Sequence, residues 1–418
     1  MIKLWDHQEK YGAALMAGEI TALWFAMRTG KTLTAIRGTD DGDRLIICPN
    51  SVKGVWQEDL QRYDQDSYIW NARNKKPKSR PRNVIINFES VWRTPLLGYN
   101  FDSIIIDESH RASSWVTKLW EEGFQKYYRE IAGCKRVICL SGSPCAEGSY
   151  QMVTQSIIMT GHYFGEYDPH SALRKYYTYD EGRRKWVPDA GHQTQVKALI
   201  KDLGPTLTQK QAGINTKKVY RTIRVPLGRA ELRLWDAIDK NTLPMVLAMH
   251  AQSVASGRPI EGATISSAKL NAVAEYASDA LGQVVILVRF TASLVYLKML
   301  LPRAICVYGE DGGGDFRTQT IKEFDSGSAK IMIAQIATVK VGLNLSAAST
   351  LIFAENSFSG EARLQAEERA TVKGKHAVEI VDFISVGTDM PGVIDEHVLT
   401  VVRSKKDFNG KMLNTNRR

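Results

Sequence analysis

The feature that most constrains this chain is a twice-repeated alternation of short apolar runs with amphipathic stretches. In the first half the runs are Ala22–Ala26, Leu45–Cys48, Val84–Phe88, Ile104–Ile106 and Val137–Leu140. Between two of them, Val52, Val55, Trp56 and Leu60 recur at helical spacing and predict one buried helical face. Strands that are apolar throughout are buried on both sides, with helices covering each face. Strands and helices in that alternation predict a doubly wound parallel sheet. The pattern restarts at Val284–Val288 and continues through Ala304–Val307, Ile331–Ala334, Thr350–Phe353 and Val378–Phe383. The expected fold class is therefore α/β, with two doubly wound parallel-sheet domains in tandem. The expected domains are residues 1–148, a mostly helical insertion and linker at 149–282, and 283–418. The insertion carries few strand signals apart from Val219–Val225.

A chain of 418 residues is long enough for two separate cores. Its 44% hydrophobic and 24% charged residues exclude a disordered or collagen-like chain. No apolar run is long enough to span a bilayer. The opening MIKLWDHQEK is charged and lacks the apolar centre of a secretory signal. A cytoplasmic monomer with no membrane partner is expected. The net charge of +10 fits a polyanion such as nucleic acid, and equally plain solubility. Cys48, Cys134, Cys139, Cys145 and Cys306 form no C-x-x-C pair, so reduced thiols are expected, several of them in strands. His162, His170 and His192 lack metal-ligand spacing and are expected to be structural.

Two local patterns carry chemistry. The first is Ala26-Met27-Arg28-Thr29-Gly30-Lys31-Thr32, which follows an apolar strand and precedes a helical pattern. That is the setting of a phosphate-binding loop, although the position of its usual first glycine holds Phe25. Backbone N–H groups and a helix N-terminus there favour phosphate. Lys31 would hold the β- and γ-phosphates of a nucleotide, and Thr32 would offer its hydroxyl to Mg²⁺. The second pattern is Phe101–Ile106, an apolar strand that ends in Asp107 and Glu108. Open α/β sheets place ligands at such strand ends. Asp107 is a candidate Mg²⁺ ligand, and Glu108 can accept a proton from attacking water.

With these residues in view, Asp107-Glu108-Ser109-His110 resembles the D-E-x-H box of superfamily 2 helicases. The order of the surrounding motifs resembles the Swi/Snf-type branch, in the compact form common in phages and mobile elements. The resemblance covers nearly the whole chain. Leu4, His7 and Gln8 match its opening L-x-x-H-Q, whose glutamine reads adenine. Ile47-Cys48-Pro49-Asn50-Ser51 with Trp56, and Ile86-Asn87-Phe88-Glu89, match the motifs that line the nucleic-acid track. Leu140-Ser141-Gly142-Ser143-Pro144 matches the motif that couples nucleotide site to track. In the second half Ser267 and Lys269-Leu270, then Ile286–Thr291 with Arg289, follow the family order. So do Tyr308-Gly309, Arg317 and Phe324. Gly342-Leu343-Asn344-Leu345, Leu364–Arg369, Gly387-Thr388 and Asp395-Glu396 complete the match.

The resemblance implies two RecA-like domains with ATP and Mg²⁺ in the cleft between them. It implies Lys31, Asp107, Glu108, Gln365 and Arg369 as catalytic residues. Gln8, Met27, Arg28, Thr29, Gly30, Lys31 and Thr32 would bind nucleotide, with Thr32 and Asp107 on the metal. Ser141, Gly142, Ser143 and Gly342 would couple the site to the track. Ser51, Asn87, Arg289 and Asn344 would touch nucleic acid. Two basic runs add Lys75 and Lys76, and Arg183 and Arg184 beside Trp186, as candidate phosphate contacts; a solvated loop is the other reading of each.

Two motifs depart from the family. The stretch Ala337–Leu345 lacks an arginine and two glycines usual there. Val372 stands where a second arginine usually reaches the γ-phosphate, and Lys373 follows it. An arginine in that role is worth orders of magnitude in rate. The implied activity is an ATP-dependent DNA translocase or helicase, on duplex DNA rather than single strands or RNA. The alternative is an ATP-gated clamp or loader with little turnover. A protein partner for targeting or stimulation stays open.

Overall fold

The structure, a computed structural model, describes residues 3–63, 65–70, 81–91, 101–114, 134, 136–182, 185–239, 241, 244–258, 267–308, 314–339 and 343–412. The chain divides into two compact units. The bulk of the first is Met1–Ala212, and the second is Gly213–Lys406.

The first unit contains β1 (Ala22–Phe25), β2 (Arg44–Cys48), β3 (Ser67–Ile69), β4 (Asn83–Asn87), β5 (Ser103–Asp107), β6 (Arg136–Leu140), β7 (Tyr177–Asp180), β8 (Lys185–Pro188) and β9 (Thr206–Leu207). Among the described residues, all but β7 and β8 form one parallel sheet in the order β3-β4-β2-β5-β6-β1-β9. Alternate residues feed two cores. Trp24, Ile47, Ile86, Ile104, Ile106 and Cys139 pack on one face. Phe25, Ile46, Ile85, Ile105 and Ile138 pack on the other. Strands covered on both faces need the continuous apolar runs seen in the sequence.

The second unit repeats the design with β10 (Lys217–Pro226), β11 (Val284–Val288), β12 (Ile305–Val307), β13 (Ile331–Gln335), β14 (Thr350–Phe353) and β15 (Ala377–Val386). Among the described residues they form a parallel sheet in the order β10-β15-β14-β11-β13-β12. The molecule is α/β, with two RecA-like doubly wound parallel sheets in tandem. Residues 149–282 are shared between the units. The helices Gln151–Thr160, Pro169–Tyr176 and His192–Leu203, the β7–β8 hairpin and β9 fall in the first. The strand β10 and the helices Arg229–Asp236, Pro244–Ala255 and Ala268–Asp279 fall in the second.

The helix Lys53–Gln61 corrects one expectation. Trp56 and Leu60 are buried, but Val55 is 45% exposed and Lys53 and Asp59 take the inner face. Polar anchoring sets this face. The buried Lys53 ammonium donates to the Trp70 carbonyl at 3.1 Å and to Asn87 Oδ1 at 2.7 Å. Bonds to partners of this kind offset the cost of burying a charge.

Several residues of the sequence motifs are structural. Ser267 caps the helix Ala268–Asp279 by accepting from the Leu270 N–H at 3.1 Å. Lys269 and Asp395 form a buried ion pair at 2.7 Å, and Asp395 also accepts from the Ser385 N–H at 3.0 Å. His192 is buried in an aromatic cluster, with Nε2 2.7 Å from the Tyr163 hydroxyl and its ring stacked on Tyr176. The cysteines are free thiols, and Cys48, Cys139 and Cys306 lie in β2, β6 and β12. Burial pushes the Cys139 thiol up to about 12. Among the described residues, no helix is long and apolar enough to cross a membrane.

Candidate nucleotide and nucleic-acid site

Parallel strands end at one edge of a sheet, so the sheet order sets which loops meet. In the first unit that order is β4, β2, β5, β6, β1. Asn87 ends β4, and Ser51 follows β2. Asp107 ends β5, with Glu108 next; Ser141 follows β6, and the phosphate loop follows β1. The loop, the acidic pair and the Ser141–Ser143 turn therefore emerge from adjacent strands.

The candidate phosphate loop, Ala26–Thr32, is built by backbone conformation. Arg28 and Gly30 have φ of 64° and 84°, both left-handed, on either side of Thr29. Such reversals turn successive N–H groups to one side, a nest for an anion. Arg28 thus takes a conformation that glycine adopts at lower cost. The loop is tied down from several directions. Thr29 Oγ1 donates to the Ala26 carbonyl at 2.7 Å. His7 Nε2 lies 2.8 Å from the Thr29 carbonyl. Gln209 Nε2 donates to the Met27 carbonyl at 3.1 Å. Gln8 is buried, accepts from the Trp5 N–H at 2.8 Å and donates to the Gly30 carbonyl at 3.3 Å. Its amide here holds the loop. The Lys31 ammonium lies back over the loop, donating to the Phe25 carbonyl at 2.8 Å and the Ala26 carbonyl at 3.3 Å. Lys31 opens the helix Lys31–Gly38, and Thr32 is in its first turn.

A side chain at Gly30 would break this packing. Its Cβ would lie 1.9 Å from Gln8 Nε2, at a left-handed φ. Gly30→Ala is expected to cost about 1–2 kcal/mol in backbone strain alone. Urea unfolding measures the loss, and unchanged stability would refute this account of the loop.

The acidic pair is held as firmly. Asp107 Oδ1 accepts from the Glu108 N–H at 3.0 Å, and Oδ2 accepts from the Trp56 indole N–H at 3.0 Å. Glu108 has φ of 52°, which swings it off the strand direction. Its Oε2 is 3.5 Å from His110 Nδ1, which is 3.1 Å from Ser141 Oγ. Ser141 Oγ accepts from the Ser143 N–H at 3.0 Å. The next residue approaches the loop: a Cβ on Gly142 would lie 3.1 Å from the Phe25 carbonyl. One connected path therefore runs from Glu108 through His110 and Ser141 to the strand that launches the phosphate loop. Thr32 and Asp107 supply oxygen donors, which suit Mg²⁺, an ion that keeps water and substrate phosphates as further ligands. Among the described residues no cluster of three His, Cys, Asp or Glu could hold a metal by itself.

Asn87 is engaged on both sides, accepting from Lys53 and donating from Nδ2 to Glu89 Oε2 at 2.7 Å. Burial lowers the Lys53 pKa, while Cys48 and Glu89 oppose that shift. Ser51 lies in the 3-10 turn Asn50–Val52, and its side chain is outside the described residues. Lys75, Lys76, Arg183, Arg184 and Gly342 also lie outside them. Trp186 packs edge-on against Tyr179 across the β7–β8 hairpin and rests on the core.

The other candidates belong to the second unit. Arg289 follows β11; its guanidinium bonds to Gln252 and its backbone N–H donates to Glu355 Oε2 at 2.6 Å. Burial lowers the Arg289 pKa against the pull of Glu355. Asn344 shapes its own turn by accepting from the Ser346 N–H at 3.2 Å, and Nδ2 donates to Asp325 at 3.1 Å. Gln365 and Arg369 lie on the helix Gly360–Arg369. Gln365 is buried and donates to Glu361 at 2.9 Å. Val372 offers no cation, and its backbone pairs with the Thr216 hydroxyl. The nearby Lys375 is bound to the carbonyls of Ser346, Ala348 and Ala370. Lys373 is exposed.

Sequence reasoning missed two contributors. Trp56 was legible as a motif residue but not as the donor to Asp107. Arg363 stands one residue before the recognised Leu364–Arg369 motif, yet it organises the buried polar core of the second unit. It bonds to both oxygens of Asp382, to Glu367 Oε1 at 2.8 Å and to Asn356 Oδ1 at 3.0 Å. Its long-range partners have no local sequence signal.

A parallel sheet with a left-handed phosphate loop and a strand-tip carboxylate pair places the first unit in the class of RecA-like α/β units. No family model matches the chain. No curated protein matches it. Among solved structures, the SWI2/SNF2 ATPase core of Sulfolobus solfataricus in complex with dsDNA matches at 17% identity. The match spans 99% of this chain and 94% of that one, with a TM-score of 0.46.

Proposed function

We propose that the protein is a nucleic-acid-dependent ATPase that moves along or remodels DNA. The observation that carries this reading is the order of groups along one sheet edge. Asn87, the Asp107–Glu108 pair, the Ser141–Ser143 turn and the Lys31 loop stand in sequence there. Lys31 and the loop N–H groups bind the β- and γ-phosphates of ATP. Thr32 and Asp107 would hold Mg²⁺, which would supply neutralisation of the phosphate charge. Water attacks the γ-phosphorus, the bond to the β-γ bridging oxygen breaks, and the water proton passes to Glu108. Through His110, Ser141 senses the state of Glu108. The family resemblance gives Gln365 and Arg369 the task of sensing the γ-phosphate. It gives Ser51, Asn87, Arg289 and Asn344 the nucleic-acid track, with duplex DNA as substrate, and supports a compact phage-type motor acting in a cytoplasm.

The test is steady-state ATP hydrolysis with no nucleic acid, single-stranded DNA, duplex DNA and RNA. Duplex DNA is expected to stimulate most. A flat response in all four would overturn the motor reading. One observation favours a second reading, an ATP-gated clamp. Val372 replaces a cation, and Lys375 is held by three carbonyls. Tight ATP-dependent DNA binding with no stimulated turnover would select it.

A further inference from the structure

The helix Lys53–Gln61 touches two groups that the proposed function uses separately. At its start, the buried Lys53 donates to Asn87 at the end of β4. Three residues later, on the same face, the Trp56 indole donates to Asp107 at the end of β5. Trp56 is 1% exposed, so its ring cannot turn without moving the helix. The Asp107 carboxylate is gripped from both sides, by Glu108 N–H on Oδ1 and by Trp56 N–H on Oδ2. Two donors on two oxygens fix its plane, and one lone pair on each oxygen remains for a further ligand.

We propose that Trp56 is a positioning residue that sets the Asp107 carboxylate for the divalent cation, and that the helix Lys53–Gln61 carries nucleic-acid occupancy at Asn87 to that carboxylate. The proposal rests on the reading of Asp107 as the metal carboxylate. A polynucleotide phosphate seated at the Asn50–Val52 turn and Asn87 shifts the first turn of the helix. The shift reaches Asp107 through one rigid indole. Residues that orient metal ligands in this way typically change metal affinity by about 10–100-fold when replaced.

The experiment is Mn²⁺ binding to the full chain with ADP, followed by the electron paramagnetic resonance signal of free Mn²⁺, with and without a duplex oligonucleotide. ADP binding in EDTA and thermal unfolding are measured alongside. Trp56→Phe keeps a six-membered ring in the core and removes the N–H donor together with the second ring of the indole. It is expected to bind Mn²⁺ about 10–100-fold more weakly, with metal-free ADP binding preserved and a cooperative unfolding transition retained at a somewhat lower temperature. In the wild type, duplex DNA is expected to tighten Mn²⁺ binding by about five-fold or more. Lys53→Met is expected to abolish that tightening.

Wild-type Mn²⁺ affinity in Trp56→Phe overturns the positioning role, even if DNA-stimulated hydrolysis is normal. Loss of metal-free ADP binding as well would show a collapsed site and also overturn it. An undiminished DNA effect in Lys53→Met overturns the route through the helix. A wild type that hydrolyses no ATP and binds no Mn²⁺ with ADP fails the proposed function itself.

Discussion

Glu108→Gln is expected to lower DNA-stimulated ATP hydrolysis by about 10²–10⁴-fold while leaving ATP binding intact. Glutamine has the shape of glutamate but cannot take a proton from water. Residue 108 keeps its left-handed turn with either side chain, since the turn is anchored through the 108 backbone N–H on Asp107. The bonds that tie the loop to Ala26, His7, Gln8 and Gln209 are made by groups other than residue 108. Binding and chemistry should therefore separate cleanly. Single-turnover hydrolysis and equilibrium ATP titration measure the two. Residual hydrolysis close to the wild-type rate would remove Glu108 from the role of base. Equal loss of binding and rate would mean that it supports the loop instead.

The second large effect lies in the other unit and concerns stability. Arg363→Leu is expected to destabilise the protein by about 3–5 kcal/mol, the usual cost of breaking a buried ion network. Arg363, Asp382 and Glu367 are all buried. Burial alone would lower the Arg363 pKa, but Asp382 and Glu367 outweigh it and hold the group above the ordinary arginine value. The guanidinium carbon also sits 3.6 Å from the centre of the Phe353 ring. Leucine would leave the two carboxylates only their longer ion pairs, Asp382 with Arg403 at 3.7 Å and Glu367 with Lys218 at 3.6 Å. Lysine would restore charge but not the planar fork or the stacking. Urea unfolding measures the loss. The double variant Arg363→Leu with Asp382→Asn should lose clearly less than the sum of the single variants, because each single change strands the other member of the pair. Strict additivity would count against the network.

What the sequence made legible follows burial. Continuous apolar runs located β1, β2, β4, β5 and β6, and β11 to β15, because two-sided burial demands them. It did not locate β3, with three half-buried residues, or β9, which is only two residues long. Nor did it show the β7–β8 hairpin, whose residues are largely half-exposed. Short edge strands take their definition from a neighbour, not from their own composition. The phosphate loop and the acidic pair were legible because a turn and a strand tip must be local in sequence. Their supports were not: Trp56 and Asp107 are 51 positions apart, and Gln209 and Met27 are 182 apart. Val55 shows the same limit in a helix. Periodicity put it inside, and the Lys53 anchor on Trp70 and Asn87 turned it out.

The pairing of β1 with β9 has a consequence for the nascent chain. The Thr21 N–H donates to the Leu203 carbonyl, the Trp24 N–H to Pro205 and the Ala26 N–H to Leu207. The Trp24 indole donates to the Ile200 carbonyl at 2.8 Å. The strand that launches the phosphate loop is thus synthesised early and flanked late. Until Leu207 has left the ribosome, β1 presents an unpaired edge with an apolar surface, the kind of template that recruits other chains. A translation product stopped short of that point would carry every residue of the loop, yet its Ala26 N–H would lack its partner on β9.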